Sequence, residues 1–82
     1  MFFFGIIIRM FHNEHNPPHF HAEYQGQRSV FDFQGDMIRG SIKSKTARKL
    51  IKKWANLHNQ DLLENWEKAV AGKQIGKIAP LE

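Results

Sequence analysis

The sequence predicts an α+β fold: a small antiparallel sheet of three or four strands, followed by two helices packed on one face. Residues 1–39 are rich in Phe and Ile, with a continuous apolar run over residues 2–8 and alternating apolar and polar side chains over residues 19–25, both of which are typical of strands. From residue 44 to residue 71, apolar side chains recur every three or four positions, which indicates two amphipathic helices. Residues 72–82 contain two glycines and a proline and predict an extended tail. We therefore expect residues 1–82 to form a single domain.

The strands are predicted from apolar runs that end at turn residues. Asn16-Pro17-Pro18 excludes helix and regular pairing, so it is expected to link the first strand to the second. Gln25-Gly26 predicts the turn of a hairpin, and Gln34-Gly35-Asp36 predicts the next turn. Strands are expected over residues 3–11, 19–25, 28–34 and 37–39.

The hairpin around Gln25-Gly26 has a favoured register, although a shift by two residues would keep the same faces and place Asp32 opposite His21. A two-residue loop opposes apolar to apolar side chains, or charge to opposite charge, in three of the pairs it forms, and a shift by one residue would mix the two faces. The expected pairs are Glu23 with Arg28, Phe20 with Phe31, and His19 with Asp32. This register places His19, His21 and Asp32 on one face of the sheet.

The helices are bounded by residues with known end preferences. Ser44 is predicted to cap the first helix, and Gly72 is predicted to end the second. A break between the helices is expected near Asn59. The expected buried stripes are Ala47, Leu50, Ile51, Trp54 and Leu57 in the first helix, and Leu62, Leu63, Trp66, Ala69 and Val70 in the second.

Composition excludes several classes of protein. The chain has no cysteine, so it forms neither a disulfide nor a thiolate zinc site. Residues 2–8, the most apolar run, are too short to span a bilayer and lack the basic start of a signal peptide. We therefore expect a cytoplasmic protein with no membrane partner. With 82 residues the core is small, so a homo-oligomer would add stability.

Four of the five histidines lie within ten residues and suggest a metal site: His12, His15, His19 and His21. Imidazoles at this density can bind a divalent transition metal such as zinc or nickel. Asp32 and Glu23 are the carboxylates expected to orient the imidazoles from outside the ligand set. The alternative is a structural cluster, in which the histidines cap turns and pack against prolines.

The same cluster also permits a catalytic interpretation. His19 or His21, paired with Asp32 or Glu14, would act as general acid and base in a metal-dependent or His/Asp hydrolase or nuclease. The sequence offers no cysteine nucleophile and no glycine-rich phosphate loop to support a more specific reaction.

A block of positive charge marks the first helix. The net charge is +4, and six of the twelve lysines and arginines lie within residues 43–53. Such a block can bind nucleic acid, although it can equally be the solvated face of a helix. The candidate nucleic-acid-binding residues are Lys45, Arg48, Lys49, Lys52 and Lys53.

The chain resembles the bacterial family catalogued as domain of unknown function 4160. The resemblance covers nearly the whole chain and is carried by Gly5-Ile-Ile-Ile-Arg-Met-Phe, His15-Asn-Pro-Pro-His-Phe-His-Ala, Trp54, Leu57-His58 and Lys77-Ile-Ala-Pro-Leu. It implies a neighbouring gene in an arrangement like a toxin–antitoxin pair, and hence a small protein partner. It supplies no catalytic residues. Ile42-Lys43 and Lys53 depart from the Leu-Pro and the acidic residue usual in the family, so the resemblance does not explain the basic helix.

The function favoured by these observations is that of a small binding module that acts through a protein partner, as one component of a toxin–antitoxin-like pair. Two alternatives remain open: a hydrolase or nuclease that uses the histidine cluster, and a nucleic-acid-binding regulator that uses the basic helix.

Overall fold

The structure, a computed structural model, describes residues 1–12 and 16–81. Within these residues a sheet precedes two helices, so the predicted α+β class is confirmed. The described elements are β1 (Phe2–Phe3), β2 (Ile6–Arg9), β3 (His19–Tyr24), β4 (Gln27–Asp32), β5 (Met37–Gly40), α1 (Lys45–Leu57) and α2 (Asn59–Val70).

Over the described residues the sheet has five strands in chain order, each antiparallel to its neighbours, rather than the three or four expected. The additional strand arises because the single strand predicted over residues 3–11 contains a turn. Phe4 and Gly5 have φ values of 48° and 78°, and they fold β1 back onto β2. Two consecutive positive φ angles match a tight hairpin turn. Because apolar residues continue across this turn, the pattern of hydrophobicity does not indicate that the strand is interrupted.

The predicted register of the β3–β4 hairpin is confirmed. His19 lies opposite Asp32, Phe20 opposite Phe31, and Glu23 opposite Arg28. Gln25 and Gly26, with φ values of 48° and 77°, form the two-residue loop.

The two faces of the sheet differ in composition. The inner face packs against side chains of both helices and of the tail in one apolar core, which includes Phe20, Phe31, Trp54, Leu62 and Ile78. The opposite side is here called the outer face. The strand pairing shows which residues share it: Phe2, Ile7, Arg9, His21, Glu23, Arg28, Val30 and Arg39.

Both predicted helix boundaries are confirmed by their hydrogen bonds. The Ala47 N–H donates to Ser44 Oγ at 3.1 Å, which caps α1. At the end of α2, Gly72 has a φ of 73°, and the N–H groups of Gly72 and Lys73 donate to carbonyls three and five residues earlier, at 3.2 and 2.8 Å. This pair of bonds is a Schellman motif, which satisfies carbonyls that the end of a helix leaves unpaired.

The buried stripes of the helices are narrower than predicted. Leu57, Leu63 and Val70 are 66%, 37% and 69% exposed, so their predicted burial was wrong. Ala55 and Asn65 are buried instead, because the side chains that face the sheet occupy only part of each helix circumference.

The tail is fixed to the body by backbone hydrogen bonds and apolar contacts. The buried Asn65 amide donates to the Gly76 carbonyl at 2.8 Å and accepts from the Gly76 N–H at 3.0 Å. The indole N–H of Trp54 donates to the Ala79 carbonyl at 2.9 Å. Ile78 and Leu81 are buried in the core. In the described part of the chain, no helix has both the length and the apolar character needed to cross a bilayer.

Candidate functional site

The predicted histidine cluster is brought together in part. His19 and His21 lie two residues apart on β3, and their ring centroids are 5.3 Å apart. His21 also contacts Phe11 edge-on at 4.9 Å, and His19 contacts Trp66 at 5.3 Å. The predicted ligand His15 and the predicted acid–base residue Glu14 lie outside the described residues.

Two of the candidate ligands donate to backbone carbonyls. The Nε2–H of His12 donates to the Lys73 carbonyl at 2.9 Å, and the Nδ1–H of His19 donates to the Pro17 carbonyl at 2.8 Å. A carbonyl only accepts, so these bonds show which ring nitrogen carries the hydrogen. A metal would then be bound through Nδ1 of His12 or Nε2 of His19. Histidine ligands commonly donate their other N–H to a carbonyl, so the bonding at His12 and His19 is compatible with metal binding.

The described residues do not by themselves assemble a metal site. Across residues 1–12 and 16–81, no group of three or more His, Cys, Asp or Glu side chains is placed to hold an ion. The predicted ligand set also includes His15, so zinc or nickel binding stays a prediction.

Metal binding can be tested by thermal melting of the native chain and of the double variant H19A/H21A, each with zinc, nickel or a chelator. If the cluster binds metal, the ion should raise the melting temperature of the native chain, because it binds only the folded state. The variant should lose this response. Comparing each protein with and without metal removes the effect of the lost ring contacts. Equal melting of the native chain under all three conditions would contradict the prediction.

The carboxylates expected beside the imidazoles have other contacts. Asp32 Oδ1 accepts the backbone N–H groups of Gln34 and Asp36 at 3.0 and 2.9 Å. These bonds hold the β4–β5 turn, and no hydrogen bond joins Asp32 to His19 or His21 among the described residues. The role of Asp32 as an orienting or catalytic carboxylate therefore stays a prediction.

Glu23 lies between two arginines on the outer face. Its Oε1 is 3.3 Å from Arg9 Nη1 and 3.2 Å from Arg28 Nε. Arg39 lies farther across the sheet, opposite Val30, and has no carboxylate within ion-pair distance in the part of the chain that the structure describes. Arg9 and Arg28 thus share one carboxylate while Arg39 has none in the described chain, so these four side chains together carry a net positive charge.

These arginines surround a groove of about 330 Å³ on the outer face. Ile7 and Val30 are apolar parts of its lining, and Phe11 and His21 add aromatic rings. Phe11 is 46% exposed, and Phe2, which pairs with Ile7, is 64% exposed. The face therefore combines exposed aromatic rings with guanidinium groups around an apolar lining.

Arginine and lysine are segregated in this chain. Three of the four arginines lie on the outer face, while all eight lysines follow residue 42, beyond the strands. The predicted nucleic-acid-binding residues accordingly lie on another surface. Lys45, Arg48, Lys49 and Lys52 line a cleft of about 420 Å³ between α1 and the β4–β5 turn, here called the basic cleft. Lys53 is exposed but does not line it.

Sequence reasoning did not identify the outer face as a site. Arg9, Arg28 and Arg39 lie on three different strands, and only the lateral order of β2, β3, β4 and β5 brings them together. The available signal was that each is a charged residue within a predicted strand, but the order of the strands was not known.

The fold and the outer face define a small α+β protein with a sheet that is covered by helices on one side. Residues 5–67 match the family described as "Domain of unknown function (DUF4160)", and the chain belongs to that family. Neither a curated protein nor a solved structure matches the chain.

Proposed function

We propose that this chain is a small binding module that acts through a protein partner, as one component of a toxin–antitoxin-like pair, and that the partner docks on the outer face. The observation that carries the proposal is the groove in which three arginines and the exposed Phe11 surround an apolar lining. Aromatic residues and arginine are enriched at protein interfaces, whereas lysine is depleted there, as it is on this face.

The charge of the outer face favours an acidic partner. Guanidinium groups bind carboxylates in a fixed planar geometry, and they lose less hydration than an ammonium group when an interface buries them. Glu23, between Arg9 and Arg28, shows that the groove accommodates a carboxylate. A carboxylate of the partner would bind Arg39, while apolar side chains of the partner would cover Ile7 and Val30.

The test is co-expression with the product of the neighbouring gene, followed by calorimetric titration of the purified proteins. The charge reversal R39E is expected to weaken binding by roughly 10–100-fold, since it places two carboxylates together inside the interface. Phe11→Ser should also weaken binding, because it removes apolar contact area.

The matched control is K77E, which makes the same change of charge at an exposed tail residue. It should change the dissociation constant by less than about 3-fold, the limited effect expected of a charge outside the interface. Circular dichroism and melting should show that all three variants fold. Unchanged binding by R39E and Phe11→Ser, or no binding of the native chain to that product, would contradict the proposal.

A further inference from the structure

We infer that the basic cleft binds the phosphate backbone of a nucleic acid, at a site separate from the outer face. Its cationic lining residues come from α1, while Gly35 and Asp36 of the β4–β5 turn form the opposite wall. Asp36 is the carboxylate in this lining, and its Oδ1 lies 2.6 Å from Lys52 Nζ. That pair neutralises itself, so Lys45, Arg48 and Lys49 provide the excess positive charge.

The basic residues of α1 are placed unfavourably for its helix dipole. Helices are stabilised by acidic residues in the first turn and by basic residues in the last turn. The first turn of α1 has no acidic residue and the last turn has no basic residue, whereas Lys45, Arg48 and Lys49 lie near the start. Their placement lowers helix stability, so folding does not explain it. Departures of this kind from local rules occur at functional sites.

Arg48 adds a directional donor to the cleft. Its Nη2 donates to the Lys43 carbonyl at 3.4 Å, a long bond. Its Nε is buried and has no hydrogen-bond partner among the described residues. Such an unpaired donor carries a desolvation cost. The planar fork of arginine matches the geometry of a phosphate group.

The length of helix over which the basic residues are spread favours a ligand with several phosphates in a row over a ligand with one phosphate. From Lys45 to Lys53 the helix rises by about 12 Å, at about 1.5 Å per residue. Phosphates of one strand of duplex DNA follow each other about every 3.4 Å along the axis, so this length spans about three of them. Lys53, just outside the cleft, continues the same stripe. Contacts to phosphates carry no base information, so binding should be independent of sequence.

The experiment measures fluorescence anisotropy of labelled DNA duplexes of about 20 base pairs, with two unrelated sequences, at about 50 and about 200 mM salt. The variant K45Q/R48Q/K49Q should weaken binding at least about 10-fold and reduce the slope of log affinity against log salt by about 2.7, or about 0.9 per lost contact. K45Q/K49Q, which retains the packing of Arg48, should give a slope loss of about 1.8.

The control is K68Q/K73Q/K77Q, which removes three lysines outside the cleft and gives the same net charge as the triple cleft variant. It should weaken binding by less than about 3-fold. Equal weakening by the two triple variants would overturn the inference, because net charge alone would then explain the affinity. Absence of salt-sensitive binding at about 50 mM salt, or binding of pyrophosphate without binding of either duplex, would also overturn it.

Discussion

Replacing Trp54 with Ala is expected to remove most of the stability of this chain. The indole is fully buried, stacks on Phe3 at 5.5 Å and contacts Phe20 edge-on at 5.6 Å. Truncating a buried aromatic residue costs about 3–5 kcal/mol. A chain of 82 residues has a free energy of unfolding of only about 4–12 kcal/mol. We therefore expect the melting temperature to fall by about 15–30 °C.

The control for this prediction is Trp54→Phe. It retains an aromatic ring in the core but removes the hydrogen bond to the Ala79 carbonyl, so it should cost about 1–2 kcal/mol. Thermal melting followed by circular dichroism measures both variants. A melting temperature of Trp54→Ala within about 5 °C of the native value would show that the core described here is wrong.

Replacing Gly40 with Ala is expected to separate β5 from β4. Gly40 has a φ of 127°, and a Cβ atom there would lie 2.3 Å from Ser29 Cα and 2.5 Å from the Arg28 carbonyl oxygen. Both atoms belong to the backbone, so no side-chain rotation relieves the contact. We expect destabilisation of about 3 kcal/mol or more, the sum of backbone strain and steric overlap, measured by urea unfolding.

Gly26→Ala separates these two contributions. Gly26 has a φ of 77°, but a Cβ atom there meets nothing within 4 Å. This variant should lose only the strain of about 1–2 kcal/mol. If Gly40→Ala costs no more than Gly26→Ala, the close approach of β5 to Ser29 is refuted. Because Gly40 follows Arg39 and lines the groove, Gly40→Ala should also weaken binding of the proposed partner.

Local chemistry determined which parts of the fold could be predicted from sequence. The β3–β4 register follows from pairs of neighbouring strands, and the caps at Ser44 and Gly72 follow from the residues at the helix ends. The turn at Phe4-Gly5 was missed because apolar residues flank it on both sides. Exposed Leu57 and Val70 were misjudged because periodicity gives the direction of a stripe but not its width.

Prediction of the candidate sites required knowledge of contacts between residues that are far apart in the sequence. The basic cleft was predicted in part, since Lys45, Arg48, Lys49 and Lys52 lie on consecutive turns of one helix. Its opposite wall comes from Gly35 and Asp36, in a turn that precedes the helix, and no local pattern indicates that contact. The outer face requires four strands in the correct order, so neither Arg9 nor Arg39 could be assigned to it beforehand.

The attachment of the tail has a consequence for synthesis of the protein on the ribosome. Chains emerge from the amino terminus, so the strands and both helices are available before residues 76–81. Yet the backbone of Gly76 forms both hydrogen bonds of the buried Asn65 amide, and the Ala79 carbonyl accepts the indole N–H of Trp54. Ile78 is also part of the apolar core. Until those residues leave the exit tunnel, the nascent chain exposes apolar and polar groups that the finished fold buries. Closure of the core around Asn65 and Trp54 therefore has to follow the synthesis of residues 76–81.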